Sequence, residues 1–112
     1  MARWIYNFHG GSLFRLPIGG GEEFVAVKGL HSGDWGYYAV TDRGVYYLDR
    51  AARQIRLLNP DTGASGKVVD LERLPGVSHR IHAMAVSPDH RWLIYSLVDG
   101  LHGDLKLVEN FR

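Results

Sequence analysis

The sequence predicts an all-β chain, an antiparallel meander of about ten strands. Runs rich in Val, Ile, Leu, Tyr, Phe and Trp last about five to eight residues before Gly, Asp, Asn or Pro interrupts them, the grammar of strands. No stretch repeats apolar residues at i, i+3, i+4 and i+7, and glycines, of which there are 14, cost a helix about 1 kcal/mol each. The breaks are turn sequences short enough to join antiparallel neighbours.

Taken in order, residues 3–8, 12–16 and 23–28 are the first three strands, with Pro17-Ile18-Gly19-Gly20-Gly21 after the second. Residues 36–41 and 45–49 flank Asp42-Arg43-Gly44, and residues 54–59 and 67–71 flank Pro60-Asp61-Thr62-Gly63. Residues 81–87, 91–99 and 104–110 complete the set, with Pro88-Asp89-His90 between the first two. In each break Pro presets φ, Asp bonds the backbone ahead of it, or Gly supplies a positive φ.

At 112 residues the chain has room for one core, which excludes an enzyme with separate cofactor and substrate lobes. Thirteen Lys and Arg against twelve Asp and Glu leave a formal charge of +1, so no electrostatic footprint points to nucleic acid or an anionic membrane. The absence of cysteine removes disulfides, thiolate catalysis and Cys-type metal centres. No run reaches the roughly 18 apolar residues of a membrane span, and residues 1–10 lack the apolar core of a secretory signal. Localisation is left unknown, cytoplasmic by default.

A repeat is visible beneath the strands. Trp4-Ile5-Tyr6, Val45-Tyr46-Tyr47 and Leu93-Ile94-Tyr95 align, as do the segments after them, Leu13-Phe14-Arg15-Leu16, Ile55-Arg56-Leu57-Leu58 and Leu105-Lys106-Leu107-Val108. A spacing of about 40 to 50 residues is that of propeller blades. If the strands of a blade run inner, second, third and outer, residues 1–28 are a partial blade, 36–71 a complete one and 81–112 a partial C-terminal one. The near-continuous apolar run 92–98 reads as a strand covered on both faces. The chain thus amounts to roughly two and a half blades, whereas closed propellers use about four to eight. It is expected to be a portion of a larger propeller, or to associate with itself through exposed blade edges.

Ser87-Pro88-Asp89-His90-Arg91-Trp92-Leu93-Ile94-Tyr95 resembles the Ser-Pro-Asp-Gly-x-x-hydrophobic-hydrophobic-Tyr signature of the TolB-like (WD40-like) β-propeller repeats, with His90 where that pattern has Gly. Asn59-Pro60-Asp61-Thr62-Gly63 and Gly19-Gly20-Gly21-Glu22-Glu23 resemble the family's turn between third and outer strands. The ending, residues 104–111, is similar to the C-terminal blade of propellers attached to winged-helix transcriptional regulators of bacteria. The resemblance spans essentially the whole chain. It implies a fold that serves as scaffold, as sensor domain of such regulators, or as gating domain of prolyl-oligopeptidase-like serine peptidases. No winged helix is present in the sequence, so direct nucleic-acid binding is not carried over.

The histidines carry the chemical signal. With this strand order His9, His31, His79, His82 and His102 lie in or beside loops at one end of the blades, together with Asp34, Trp35 and Arg80, while His90 falls at the other. Imidazoles, both charge signs and an aromatic platform suit a polar or peptide-like ligand, set against the ordinary tendency of loops to collect polar residues. His79-x-x-His82 has ligand spacing but no third ligand, so no metal is assigned. No Gly-x-Ser-x-Gly elbow exists, and Ala64-Ser65-Gly66-Lys67 lacks the pattern of a phosphate loop. Glu22-Glu23 opens an outer strand at the rim, where charges guard a sheet edge. The reading is a non-enzymatic interaction or sensing module without cofactor. It binds a protein or peptide partner, and His31, Asp34, Trp35, His79, Arg80, His82, His9 and His102 are its candidate ligand-binding face.

Overall fold

Ten strands and one 3-10 turn account for the regular structure in the computed structural model, which describes residues 4–28, 38–75, 80–99 and 102–111. The strands are β1 (Trp4–His9), β2 (Ser12–Pro17), β3 (Phe24–Val27), β4 (Tyr38–Thr41), β5 (Gly44–Asp49), β6 (Gln54–Leu58), β7 (Ser65–Asp70), β8 (Arg80–Val86), β9 (Trp92–Asp99) and β10 (His102–Glu109). They form three sheets ordered β1-β2-β3, β4-β5-β6-β7 and β10-β9-β8, and every pairing is antiparallel between chain neighbours. The chain is therefore all-β, with a sheet of four strands between two of three, an arrangement that fits a partial propeller-like meander.

Strand boundaries depart from the sequence expectation in places with local causes. β7 starts at Ser65 instead of residue 67 because Ser65 and Gly66 pair with Leu58 and Leu57. At its far end Leu71 leaves the strand for the 3-10 turn Leu71–Arg73, and its side chain is buried. β10 starts at His102, directly paired with Asp99.

Alternation along β5 explains how the central sheet holds both neighbours. Successive side chains point to opposite faces. Val45 and Tyr47 join Leu13 of β2 and Leu58 in one cluster, with Tyr6, Phe8 and Tyr38 against it. Tyr46 and Leu48 point the other way, into a larger cluster with Ile55, Val69, Leu71, Met84, Leu93, Tyr95, Leu97 and Phe111. A strand buried on both faces needs the unbroken apolar run that residues 45–48 supply. For β9 this expectation fails on one face. Leu93, Tyr95 and Leu97 are buried, but Ile94 and Ser96 lie on a face that has no neighbouring sheet among the described residues, where Leu105 and Leu107 are exposed.

The turns follow their residues. Asn59 accepts the backbone N–H groups of Asp61 and Thr62 on its side-chain oxygen, and Gly63 closes the turn at a φ of 78°. Gly44 has a φ of 135° and lies against the Leu58 carbonyl so closely that a Cβ would overlap it. Only glycine fits a backbone so placed. In the β8–β9 turn the Ser87 hydroxyl donates to Asp89 (2.6 Å) and accepts from the Trp92 N–H (3.0 Å), while Asp89 accepts from the Arg91 N–H (3.0 Å). These bonds hold the Asp89 carboxyl below its ordinary value, the Ser87 hydrogen bond contributing most.

Candidate functional site

The same β8–β9 turn builds the most constrained polar cluster of the described residues. His90 has a φ of 62°, in the left-handed region that favours Gly. It is also the one buried polar residue among those described, only 7% exposed. Its backbone is fixed by its own N–H donating to the Ser87 carbonyl (2.9 Å), which aims the ring across the gap at the central sheet. There Nε2 meets Asp42 Oδ1 at 2.6 Å and Nδ1 meets the Tyr46 hydroxyl at 3.1 Å.

The partners set the proton on Nε2. Asp42, in the β4–β5 turn, is ionised and can only accept, so Nε2 carries a proton toward it, and Nδ1 shares a hydrogen bond with the Tyr46 hydroxyl. In this arrangement both ring nitrogens have a partner. The hydrogen bond from His90, with help from Arg43, holds the Asp42 carboxyl below its ordinary 3.8. Tyr46 also packs edge-on against Phe111, ring centroids 5.8 Å apart, so a residue two positions past the end of β10 closes the cluster.

Asp42, His90 and Tyr46 have the connectivity of a carboxylate–imidazole–hydroxyl relay, but accessibility rules against proton transfer to a substrate. Tyr46 is 0% exposed, so no substrate reaches its oxygen, whereas the Asp42 side chain is 75% exposed. What the arrangement does is pin the turn of one sheet to the turn of the next.

Two hollows flank this pin. One, of about 220 Å³, is lined by Tyr6, Asp42, Arg43, Asn59 and Asp61, and the other, of about 350 Å³, by Val40, Asp42, Val86 and Pro88. On the side of the first sheet, Arg15 donates to the Pro60 carbonyl and lies 4.3 Å from the centroid of the Trp4 ring, while its Nε is buried without a hydrogen bond. Tyr6 is pushed up from its ordinary value by burial, with Arg15 opposing. These contacts bring the β4–β5, β6–β7 and β8–β9 turns to one end of the three sheets.

The sequence-predicted face falls only in part within the described residues. His31, Asp34, Trp35 and His79 lie outside the described residues. The backbone places His9 at the end of β1, Arg80 at the start of β8 with His82 two residues on, and His102 at the start of β10. Strand direction thus sets His9, Arg80 and His102 at the ends of their strands remote from the His90 turn. Sequence reasoning passed over Asp42, Tyr46 and His90 as a group. The available signal was His90 itself: a bulky residue at a position that favours glycine implies that the side chain is held.

Comparison with protein-family models, with curated proteins and with solved structures gives no match.

Proposed function

We propose that the chain is a non-enzymatic protein-association module of β-propeller type, in which the three sheets act as blades. The observation that carries this reading is the chemistry of the two outer sheet faces. On the first sheet Ile5 and Val25 are exposed, 52% each, on the face opposite buried Leu13. On the third, Leu105 and Leu107 are 69% and 61% exposed beside Ala83, Ala85 and Ile94. Apolar side chains gathered on two flat faces mark surfaces meant to be covered. The central sheet supplies the pattern, since it is covered on both faces by sheets of the same kind. The buried hydroxyl of Tyr46 and the structural use of His90 favour binding over catalysis.

The test is to replace Val25 and Leu105, one at a time, by a photo-crosslinking phenylalanine and irradiate cells making the full chain. Polypeptide adducts from both positions, mapped by mass spectrometry to a sheet face of the captured protein, are expected. If neither position gives a polypeptide adduct, the association reading is wrong.

A further inference from the structure

We infer that the hollow of about 220 Å³ between the β4–β5 and β6–β7 turns is a binding site for a small zwitterion, a free α-amino acid. The inference is independent of the association reading, since it concerns the end of the sheets and not their outer faces.

Size limits the occupant first. Sites for drug-sized ligands measure about 300–1,000 Å³. A hollow of about 220 Å³ is too small for a nucleotide and has room for a molecule of amino-acid size.

Charge limits it further. Two carboxylates, Asp42 and Asp61, and one guanidinium, Arg43, line the same hollow. They do not neutralise one another: Asp42 bonds His90 through Oδ1, and among the described residues neither Arg43 nor Asp61 forms an ion pair. Both signs are nonetheless felt at the walls, Arg43 by Asp42, and Asp61 with Arg15 by the Tyr6 hydroxyl. A plain cation would suit the carboxylates and be repelled by Arg43. A plain anion would suit Arg43 and be repelled by both carboxylates. A molecule that carries an ammonium beside a carboxylate satisfies all three.

Hydrogen-bonding capacity points the same way. Asn59 spends its Oδ1 on the N–H groups of Asp61 and Thr62, which leaves its NH₂ group to donate, and the Tyr6 hydroxyl has no hydrogen bond among the described residues. With Arg43 these donors suit a carboxylate. The second oxygen of Asp42 and the Asp61 carboxylate suit the three donors of an ammonium.

The walls are set before a ligand arrives. The Thr41 hydroxyl donates to the Gly44 carbonyl (2.8 Å) and accepts from the Arg43 N–H (3.3 Å), His90 holds Asp42, and Asn59 holds its own turn. Fixed walls lower the ordering cost of binding. Tyr6 belongs to the first sheet and the other lining residues to the central one, so an occupant ties together the two sheets that share the smaller core cluster.

The experiment titrates the isotopically labelled full chain with each of the standard free L-amino acids up to about 10 mM, tenfold above a millimolar Kd, and follows the backbone NMR signals. At least one is expected to shift residues 40–44 and 59–63 and to slow amide exchange in residues 4–17. For the amino acid that binds most tightly, the amide of its carboxyl group and the acid that lacks its amino group are each expected to bind about tenfold more weakly or worse. Asp61→Asn and Arg43→Gln, both at exposed positions and both checked for an unchanged circular-dichroism spectrum, are each expected to raise its Kd about tenfold or more. If no amino acid shifts residues 40–44 and 59–63, the site is overturned. If the amide or the deaminated acid binds as well as the amino acid, or if either variant keeps the parent affinity, the zwitterion is the wrong ligand class and the inference falls. None of these outcomes bears on crosslinking at Val25 and Leu105, so the association reading stands or falls separately.

Discussion

Among the described residues, the larger cluster between the central and C-terminal sheets gathers eleven buried side chains, closed by Phe111 and pinned at one end by His90, whereas the smaller cluster between the central and N-terminal sheets has four. The smaller junction adds a stacked Phe8–Tyr38 pair at 6.5 Å and the Arg15 contact to the Pro60 carbonyl, the latter with a buried donor left over. Burial scales with apolar area, and an unmet buried donor costs about 1–3 kcal/mol. The second and third sheets should therefore behave as one unit, on which the first is docked less firmly.

The comparison is broken or upheld most directly by one substitution on each side. Leu93 and Leu13 are both 0% exposed. Leu93→Ala is expected to cost about 2–5 kcal/mol and to lower the melting of the whole chain. Leu13→Ala is expected to act locally, with amide exchange rising in residues 4–28 while residues 44–58 and 92–97 keep their protection. Equal loss of protection throughout in both variants would mean that the three sheets unfold as one.

A smaller effect tests the polar pin. His90→Ala keeps the left-handed backbone and removes both ring hydrogen bonds, one of them to a carboxylate, with an expected loss of about 1–3 kcal/mol. His90→Gly removes the same bonds but relieves the backbone, and should melt above His90→Ala by the equivalent of about 1 kcal/mol. Were the two variants to melt together, the positive φ of His90 would carry no cost.

The smallest effect is the pH dependence of that pin. His90 holds the Asp42 carboxyl below its ordinary 3.8, so the bond's stabilisation is complete above that value and disappears as pH falls through the lower folded one. Thermal melts should show the chain and Asp42→Asn diverging at neutral pH and converging in acid. Asp89, also shifted down but bonded within its own turn, is the control: Asp89→Asn should leave amide exchange in residues 42–46 unchanged. A pH profile of Asp42→Asn parallel to the parent would remove Asp42 from the account.

Much of the architecture was legible in the residues because hairpins are local. The runs at 45–49 and 91–99 and the turns Asn59-Pro60-Asp61-Thr62-Gly63 and Ser87-Pro88-Asp89-His90 fold through contacts a few residues apart, and the strands lie close to where the pattern puts them. The polar cluster was not legible for the opposite reason. Asp42 and His90 are 48 positions apart and Tyr46 and His90 are 44, and nothing in their own segments announces the pairing. Tyr46 reads as one more aromatic in an apolar strand.

By itself the sequence determined the strand order, the turn chemistry and the even distribution of charge, since each depends on neighbours in the chain. Only the tertiary structure decided which faces are covered. Period-two alternation tells that Tyr46 and Tyr47 point opposite ways, and it tells the same of Ile94 and Tyr95. A strand carries no record of how many sheets stand beside it, so Tyr46 and Tyr47 both came to be buried, while Tyr95 is covered and Ile94 faces outward.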